Sequence, residues 1–216
     1  MKNLIIIGAG GFGREVAWLA SEARDPFQVL GFLDDRTNIP SEELGGHRLL
    51  GGLDLWPSFT ETALVIAIGN PRTRYAVAQR LQTRGETEFA TLVHRSCLIG
   101  PNCHIAAGSM VCAGCILTTN INVGPHSILN IGTTVGHDVQ IGSFVTVAPQ
   151  VALSGCVVLG DGVEIGTASS IRQGLCIGEG SMLGMGSTLT KDMPENTLFF
   201  GSPAKQIKPM TAFRSA

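Results

Sequence analysis

From Val93 to Leu189 every sixth residue is aliphatic: Ile99, Ile105, Val111, Leu117, Val123, Leu129, Val135, Ile141, Val147, Leu153, Leu159, Ile165, Ile171, Ile177 and Leu183 fill the series without a gap. The residue that follows is usually small, as in Gly100, Gly124, Gly136, Gly142, Gly160, Gly166, Gly178 and Gly184, so the chain can turn where a Cβ would clash. A period of six fits neither the helical repeat of about 3.6 nor a simple hairpin series. It matches short strands wound into a parallel β-helix. Three repeats complete one triangular coil, and coils stacked at about 4.8 Å build a prism roughly 25 Å tall. Between Ser96 and Thr190 only Asp138, Asp161, Glu164, Arg172 and Glu179 carry charge. Such a surface suits cover by neighbouring copies, so a homo-oligomer is expected. The unbroken repeat leaves no long loop on the prism, so a site on it would lie where subunits meet and would have no lid.

The whole chain has 216 residues and a net charge of −2. It therefore offers no basic field to nucleic acid, and a small-molecule partner fits better. No apolar run reaches the roughly 18 residues of a membrane span, and the apolar start leads into glycines rather than a cleavage site, so a cytoplasmic protein is expected. Cys112 and Cys115 spell C-x-x-C, a pattern with a metal or disulfide reading. However, Cys97, Cys103 and Cys115 share one phase of the hexapeptide, otherwise filled by small or apolar residues. Packing cysteines, with no metal, are the expectation.

The first ninety residues follow another pattern. A buried-type strand at residues 4–7 leads into Gly8-Ala9-Gly10-Gly11-Phe12-Gly13 and then a helix through Trp18 and Leu19. A second strand at 29–33 ends at Asp34 and Asp35, about twenty residues beyond the glycines, as in a dinucleotide fingerprint. A third strand at 64–68 and a helix at about 73–81 nearly exhaust the segment, so only half of a dinucleotide fold is present. Half suffices for a mononucleotide: backbone N–H groups at a helix N-terminus take a phosphate, and a carboxylate after the second strand takes a ribose or base. The alternative is that the glycines only allow close strand-to-helix packing.

Taken together, these pieces resemble the sialic-acid O-acetyltransferase and nucleotide-amino-sugar N-acetyltransferase family of bacteria, the NeuD- or PglD-like proteins. The resemblance rests on the glycine loop 7–13, Gly31-Phe32-Leu33-Asp34-Asp35, Ala67-Ile68-Gly69-Asn70 with Arg74, Thr91-Leu92-Val93-His94, residues 130–142, and Gly201-Ser202-Pro203-Ala204-Lys205. It implies an α/β half-Rossmann-like domain at 1–92 for a nucleotide sugar, a left-handed parallel β-helix at 93–194, and a C-terminal tail at 195–216 bordering CoA. It also implies a homotrimer with acetyl-CoA between neighbouring prisms. The left hand comes from the resemblance, since parallel crossovers are nearly always right-handed. Gly10, Gly11, Phe12, Asp34, Asp35, Gly69, Asn70 and Arg74 take the substrate-binding role by the same route.

Acetyl transfer from a thioester needs a base for the attacking amine or hydroxyl and a donor for the oxyanion. Histidine suits the first task because imidazole titrates near neutrality, but the chain has five, and residue chemistry alone does not rank them. His137 falls two places after inward Val135, at a coil edge. The resemblance selects it as general base, with Asp138 to orient it and Asn130 helping to build the site. Adjacent strand side chains point to opposite faces, so a His137–Asp138 contact requires a bend. The junction histidine, His94, reads as structural. Relatives carry a second histidine, thought to contact the acetyl donor, where this chain has Thr146. The backbone N–H of Gly155 is the oxyanion candidate, Thr167 and Met185 line the CoA channel, and Lys205 screens CoA phosphates or is a solvated tail lysine. N-acetylation is the leading reading, with O-acetylation of sialic acid or another sugar next. A dehydrogenase lacks its second domain, and a non-catalytic scaffold has no use for His137.

Overall fold

The computed structural model describes residues 1–36, 39–83 and 87–214. The N-terminal region is a four-stranded parallel sheet in the order β3-β2-β1-β4, formed by β1 (Lys2–Ile7), β2 (Phe27–Leu33), β3 (Leu49–Gly51) and β4 (Thr62–Ile66). Helices α1 (Gly11–Ser21) and α2 (Pro71–Gln82) cover its two faces. The run Leu4-Ile5-Ile6-Ile7 is fully buried, because a parallel sheet with both faces covered needs apolar residues in both phases. Leu4 and Ile6 join Val16, Leu19 and Phe32 on the α1 side, while Ile5 and Ile7 join Leu64, Ile66 and Leu81 on the α2 side.

The hexapeptides form a left-handed parallel β-helix of two-residue strands, each pairing with the strand eighteen positions away, as Thr134↔Ala152 and Val135↔Leu153 do. The first face starts at Leu92–Val93, the second at Leu98–Ile99 and the third at His104–Ile105. In each strand the second residue points inward, and Val111 through Leu189 form one continuous core. Burying an aliphatic side chain of this size stabilises by about 1.5–3 kcal/mol, so the repeat supplies the prism's stability directly. Cys97 and Cys115 belong to this core, and their thiols donate to the carbonyls of Cys112 and Asn130, both at 3.1 Å. Burial pushes the Cys112 thiol up to about 12.

The two regions share their cores. Leu92, Met110 and Ile128, the first three outward residues of the first face, pack with the α1 side of the N-terminal sheet. His94 is buried at this junction against Trp18, its Nδ1 2.8 Å from the Ser96 hydroxyl. The segment read from sequence as a tail is built into the fold. Thr197–Gly201 pairs with Met182–Leu183 and extends the first face, and Ala204–Pro209 folds back on it antiparallel. The chain then returns to α2. Phe213 is buried over Gly162 and Gly180, where a Cβ would meet it at 2.3 and 2.8 Å. Arg72 of α2 donates to the carbonyls of Thr211, Ala212 and Gly180 at 2.6, 2.7 and 3.1 Å.

Candidate active site

The corner between the second and third faces carries His137. Its Nδ1 lies 2.8 Å from Asp138 Oδ2. Two neighbours in sequence can meet in this way because Asp138 has φ +61°, a left-handed conformation that aspartate tolerates and that supplies the bend. The carboxylate accepts the Nδ1 proton and leaves Nε2 with its lone pair, the orientation a general base needs. Asp138 is itself held: Asn120, one coil earlier, donates to its Oδ1 at 3.1 Å, and Asn102 donates to Asn120 at 3.0 Å. The hydrogen bonds from His137 and Asn120 keep the Asp138 carboxyl below the usual carboxylate range.

Beneath the ring lies Gly155. A Cβ there would stand 2.5 Å from His137 Nε2 and 2.6 Å from Cε1, so this glycine is the seat of the imidazole. Its φ lies outside the left-handed region, so the backbone accepts alanine, and the three atoms nearest the new methyl all belong to the His137 ring. Gly155→Ala is expected to keep the fold and lower turnover about 10²-fold, the effect of displacing a catalytic group by about 1 Å. Thermal unfolding together with turnover checks this. An active Gly155→Ala enzyme would mean that the ring position is not critical.

His137, Asp138 and Gly155 are thus brought together. Asn130, Thr167 and Met185 lie instead on the corner between the first and second faces, and Asn130 Oδ1 accepts from the N–H of Ile131 at 2.7 Å. The two corners flank the second face, whose outward residues Leu98, Ile116, Thr134, Ala152, Ser170 and Thr188 are uncharged. Lys205 sits exposed on the C-terminal hairpin.

Away from this corner, a concavity of about 320 Å³ opens beside the glycine loop and is lined by Gly8, Gly10, Asp34, Asp35, Leu53 and Ile68 among others. Asp34 accepts from the Ala9 N–H at 2.9 Å and pairs with Arg36 at 2.7 Å. Partial burial raises its pKa, but these bonds prevail and hold it at about 2. Asp35 accepts from the Leu53 N–H at 2.9 Å and pairs with Arg80. Phe12, in α1, packs on the core. Gly13 answers to packing, since a Cβ there would lie 2.2 Å from the Gly8 carbonyl oxygen. Asn70 caps α2, its Oδ1 accepting from the Thr73 N–H at 3.0 Å.

Two expectations are corrected. Arg74 does not face the cleft. It is fully buried, donating to the carbonyls of Ile68, Gly69, His126, Phe144 and Val145 and to the Thr146 hydroxyl. Burial lowers its pKa to about 9. Its guanidinium joins the Gly69 turn to the prism. Thr146 belongs to the same seam: its hydroxyl donates to the Gly69 carbonyl at 2.6 Å and so is not presented to an acetyl donor. Sequence reasoning missed Asn120 and Cys156, whose Sγ is 4.0 Å from His137 Nδ1. Both stand one coil, eighteen residues, from Asp138, so the coil period itself could have found them.

Comparison with known proteins agrees with this architecture. Residues 3–81 match the model of the PglD N-terminal domain. A GDP-perosamine N-acetyltransferase of Escherichia coli O157:H7 is 29% identical over 150 residues, a match covering 67% of this chain and 66% of that protein. The acetyltransferase domain of PglB from Neisseria gonorrhoeae FA1090 superposes with a TM-score of 0.88 at 30% identity, over 96% of this chain and 100% of that one. The same domain in complex with acetyl coenzyme A gives 0.80, at 30% identity over 95% and 99% of the two chains. The perosamine N-acetyltransferase of Caulobacter crescentus, solved as a histidine-to-asparagine mutant with CoA and GDP-perosamine, gives 0.88 at 25% identity over 96% and 98%. Prism, glycine loop and sequence together make the chain a member of the PglD-like family of hexapeptide-repeat acetyltransferases.

Proposed function

We propose that the protein transfers the acetyl group of acetyl-CoA to the amino group of a nucleotide-linked sugar, in the cytoplasm, for bacterial glycan or surface-polysaccharide synthesis. The observation that carries this reading is the His137–Asp138 pair seated on Gly155, with Nε2 turned away from the carboxylate. Relatives solved with CoA, acetyl-CoA and GDP-perosamine support the choice of donor and acceptor class.

In this mechanism Nε2 of His137 takes a proton from the amine as it attacks the thioester carbonyl. Asp138 stabilises the imidazolium, and the Gly155 N–H donates to the oxyanion. Collapse of the tetrahedral intermediate breaks the C–S bond, and the proton passes from His137 to the departing CoA thiolate. No metal is required. The nucleotide sugar lies along residues 1–92, against Gly10, Gly11, Phe12, Asp34, Asp35 and Gly69, with Asn70 shaping the turn. Residues 93–194 carry the chemistry. The 195–216 segment, with Lys205, borders CoA.

Assembly as a homotrimer completes the site. Asn130, Thr167 and Met185 are separated from His137 by the whole second face of their own chain, and a neighbouring prism brings such an edge to His137. The uncharged second face, with Leu98 65% and Ile116 39% exposed, suits burial against that neighbour.

The test is thiol released from acetyl-CoA in the presence of UDP-, TDP- and GDP-linked amino sugars, with free and CMP-linked sialic acids alongside. Release with one amino sugar is the expected result. Release only with sialic acids would replace N- by O-acetylation, and silence across the panel without acetyl-CoA binding would overturn the assignment.

A further inference from the structure

Cys156 has no part in the acetyl transfer described above, yet it stands beside its base. His137 Nδ1, an Asp138 carboxylate oxygen and Cys156 Sγ all lie within 4.8 Å of one another. We propose that these three side chains form a binding site for a thiophilic divalent metal, zinc above all, and that occupancy of this site switches acetyl transfer off.

The geometry is close to what zinc needs. Bond lengths of about 2.0–2.3 Å to nitrogen, oxygen and sulfur in a tetrahedral arrangement separate the ligand atoms by about 3.3–3.7 Å. Here Nδ1 and Oδ2 are 2.8 Å apart, and Nδ1 and Sγ 4.0 Å. Closing the triad therefore asks only for small side-chain rotations, and all three residues are exposed. The backbone is already set. Asp138 and Cys156 occupy equivalent corner positions one coil apart, at φ +61° and +58°, and the Cys156 N–H donates to the His137 carbonyl at 2.8 Å. Gly155 fixes the ring from below, and Asn120 steadies Oδ1 of Asp138 at 3.1 Å, an outer-shell contact of the kind that orients metal ligands. A thiolate beside an imidazole selects zinc over magnesium or calcium. Three protein ligands leave a coordination position for water.

Binding releases the thiol proton and requires a neutral imidazole, so it weakens in acid. With the metal on Nδ1 the ring carries its proton on Nε2. That nitrogen then donates a hydrogen bond and cannot accept the proton of the attacking amine. The silencing half of the proposal rests on His137 as general base; the binding half does not.

Binding and activity are therefore measured separately, on the full-length protein and on Cys156→Ser. Equilibrium dialysis against zinc chloride should find about one zinc per chain in the parent, and titration with cobalt(II) should produce a thiolate-to-metal charge-transfer band in the near ultraviolet. Cys156→Ser should lose the band and bind zinc roughly tenfold or more weakly. Acetylated product is counted by mass spectrometry, because zinc also binds the free CoA thiol. Zinc should suppress turnover by the parent roughly tenfold or more, reversibly on chelation, while Cys156→Ser keeps its basal turnover and resists. Absence of the cobalt band, or equal zinc affinity in the two proteins, overturns the site. Zinc held through Cys156 without loss of turnover overturns the silencing half and argues against His137 as the base, leaving the metal site in place.

Discussion

Replacement of His137 by alanine is expected to lower kcat about 10²–10⁴-fold, the range associated with loss of a positioned general base, with little change in the KM for acetyl-CoA. The side chain is half exposed, at 51%, and contributes nothing to the buried prism core, so the thermal unfolding curve should be unchanged. That combination separates a chemical role from a structural one. Asp138→Asn should also lose turnover although Gly155 still seats the ring: it removes the charge that stabilises the imidazolium, and the amide can donate to Nδ1 and so hold the tautomer whose Nε2 carries the proton. An amino group that reached the site already deprotonated would need the base less, so the deficit of the alanine variant should shrink as pH rises. A His137→Ala protein that acetylates at the parent rate would remove the mechanism while leaving family membership intact.

What the sequence disclosed follows from how local each feature is. The prism was legible because its rule repeats without interruption, and each aliphatic meets its own equivalent on the next coil. The first strand was legible because Leu4 through Ile7 must be buried on both faces. Short β3, Leu49–Gly51, has no such signature: three residues between two 3₁₀ turns show no period. The C-terminal hairpin was hidden for another reason. Its strand Thr197–Gly201 continues the first face after the hexapeptide rule has ended, so no inward aliphatic marks it. In the active site the coil edge gave His137, but choosing it among five histidines needed the family resemblance. Arg74 was misread because its neighbours in sequence make a turn beside a cleft, whereas its partners Phe144 and Thr146 lie 70 and 72 residues away. Burial of that kind is a property of the docked regions and leaves no local trace.

That burial makes Arg74 the residue whose loss should cost the fold most. Arg74→Met preserves bulk but removes the guanidinium donors to the carbonyls of Ile68, His126 and Phe144, and those it adds at Gly69 and Val145, which keep the Thr146 hydroxyl and the Ile128 N–H. It also strips partly buried Glu164 of the charge that counters the rise in its pKa caused by burial. Breaking a buried charged network by removing one member costs about 3–5 kcal/mol, and that loss is expected in denaturant unfolding at neutral pH. A pH series distinguishes this from a simple packing defect. His126, stacked on Phe144, is pushed down to about 4 by burial and then by the Arg74 charge, from 6.5. The unfolded chain therefore binds the extra proton between those values, and the parent loses stability as pH falls through that window. Without Arg74 the His126 pKa rises and the stranded Glu164 accepts a proton more readily, so the variant loses less in acid and the gap between the two proteins should narrow towards pH 4. A gap that stays constant with pH would mean that the Arg74 charge does not act on His126 and Glu164, leaving its hydrogen bonds to the carbonyls as the source of the loss. A loss below about 1 kcal/mol, within the ordinary range for a single substitution, would mean that the seam between the N-terminal sheet and the prism is held by its apolar contacts alone.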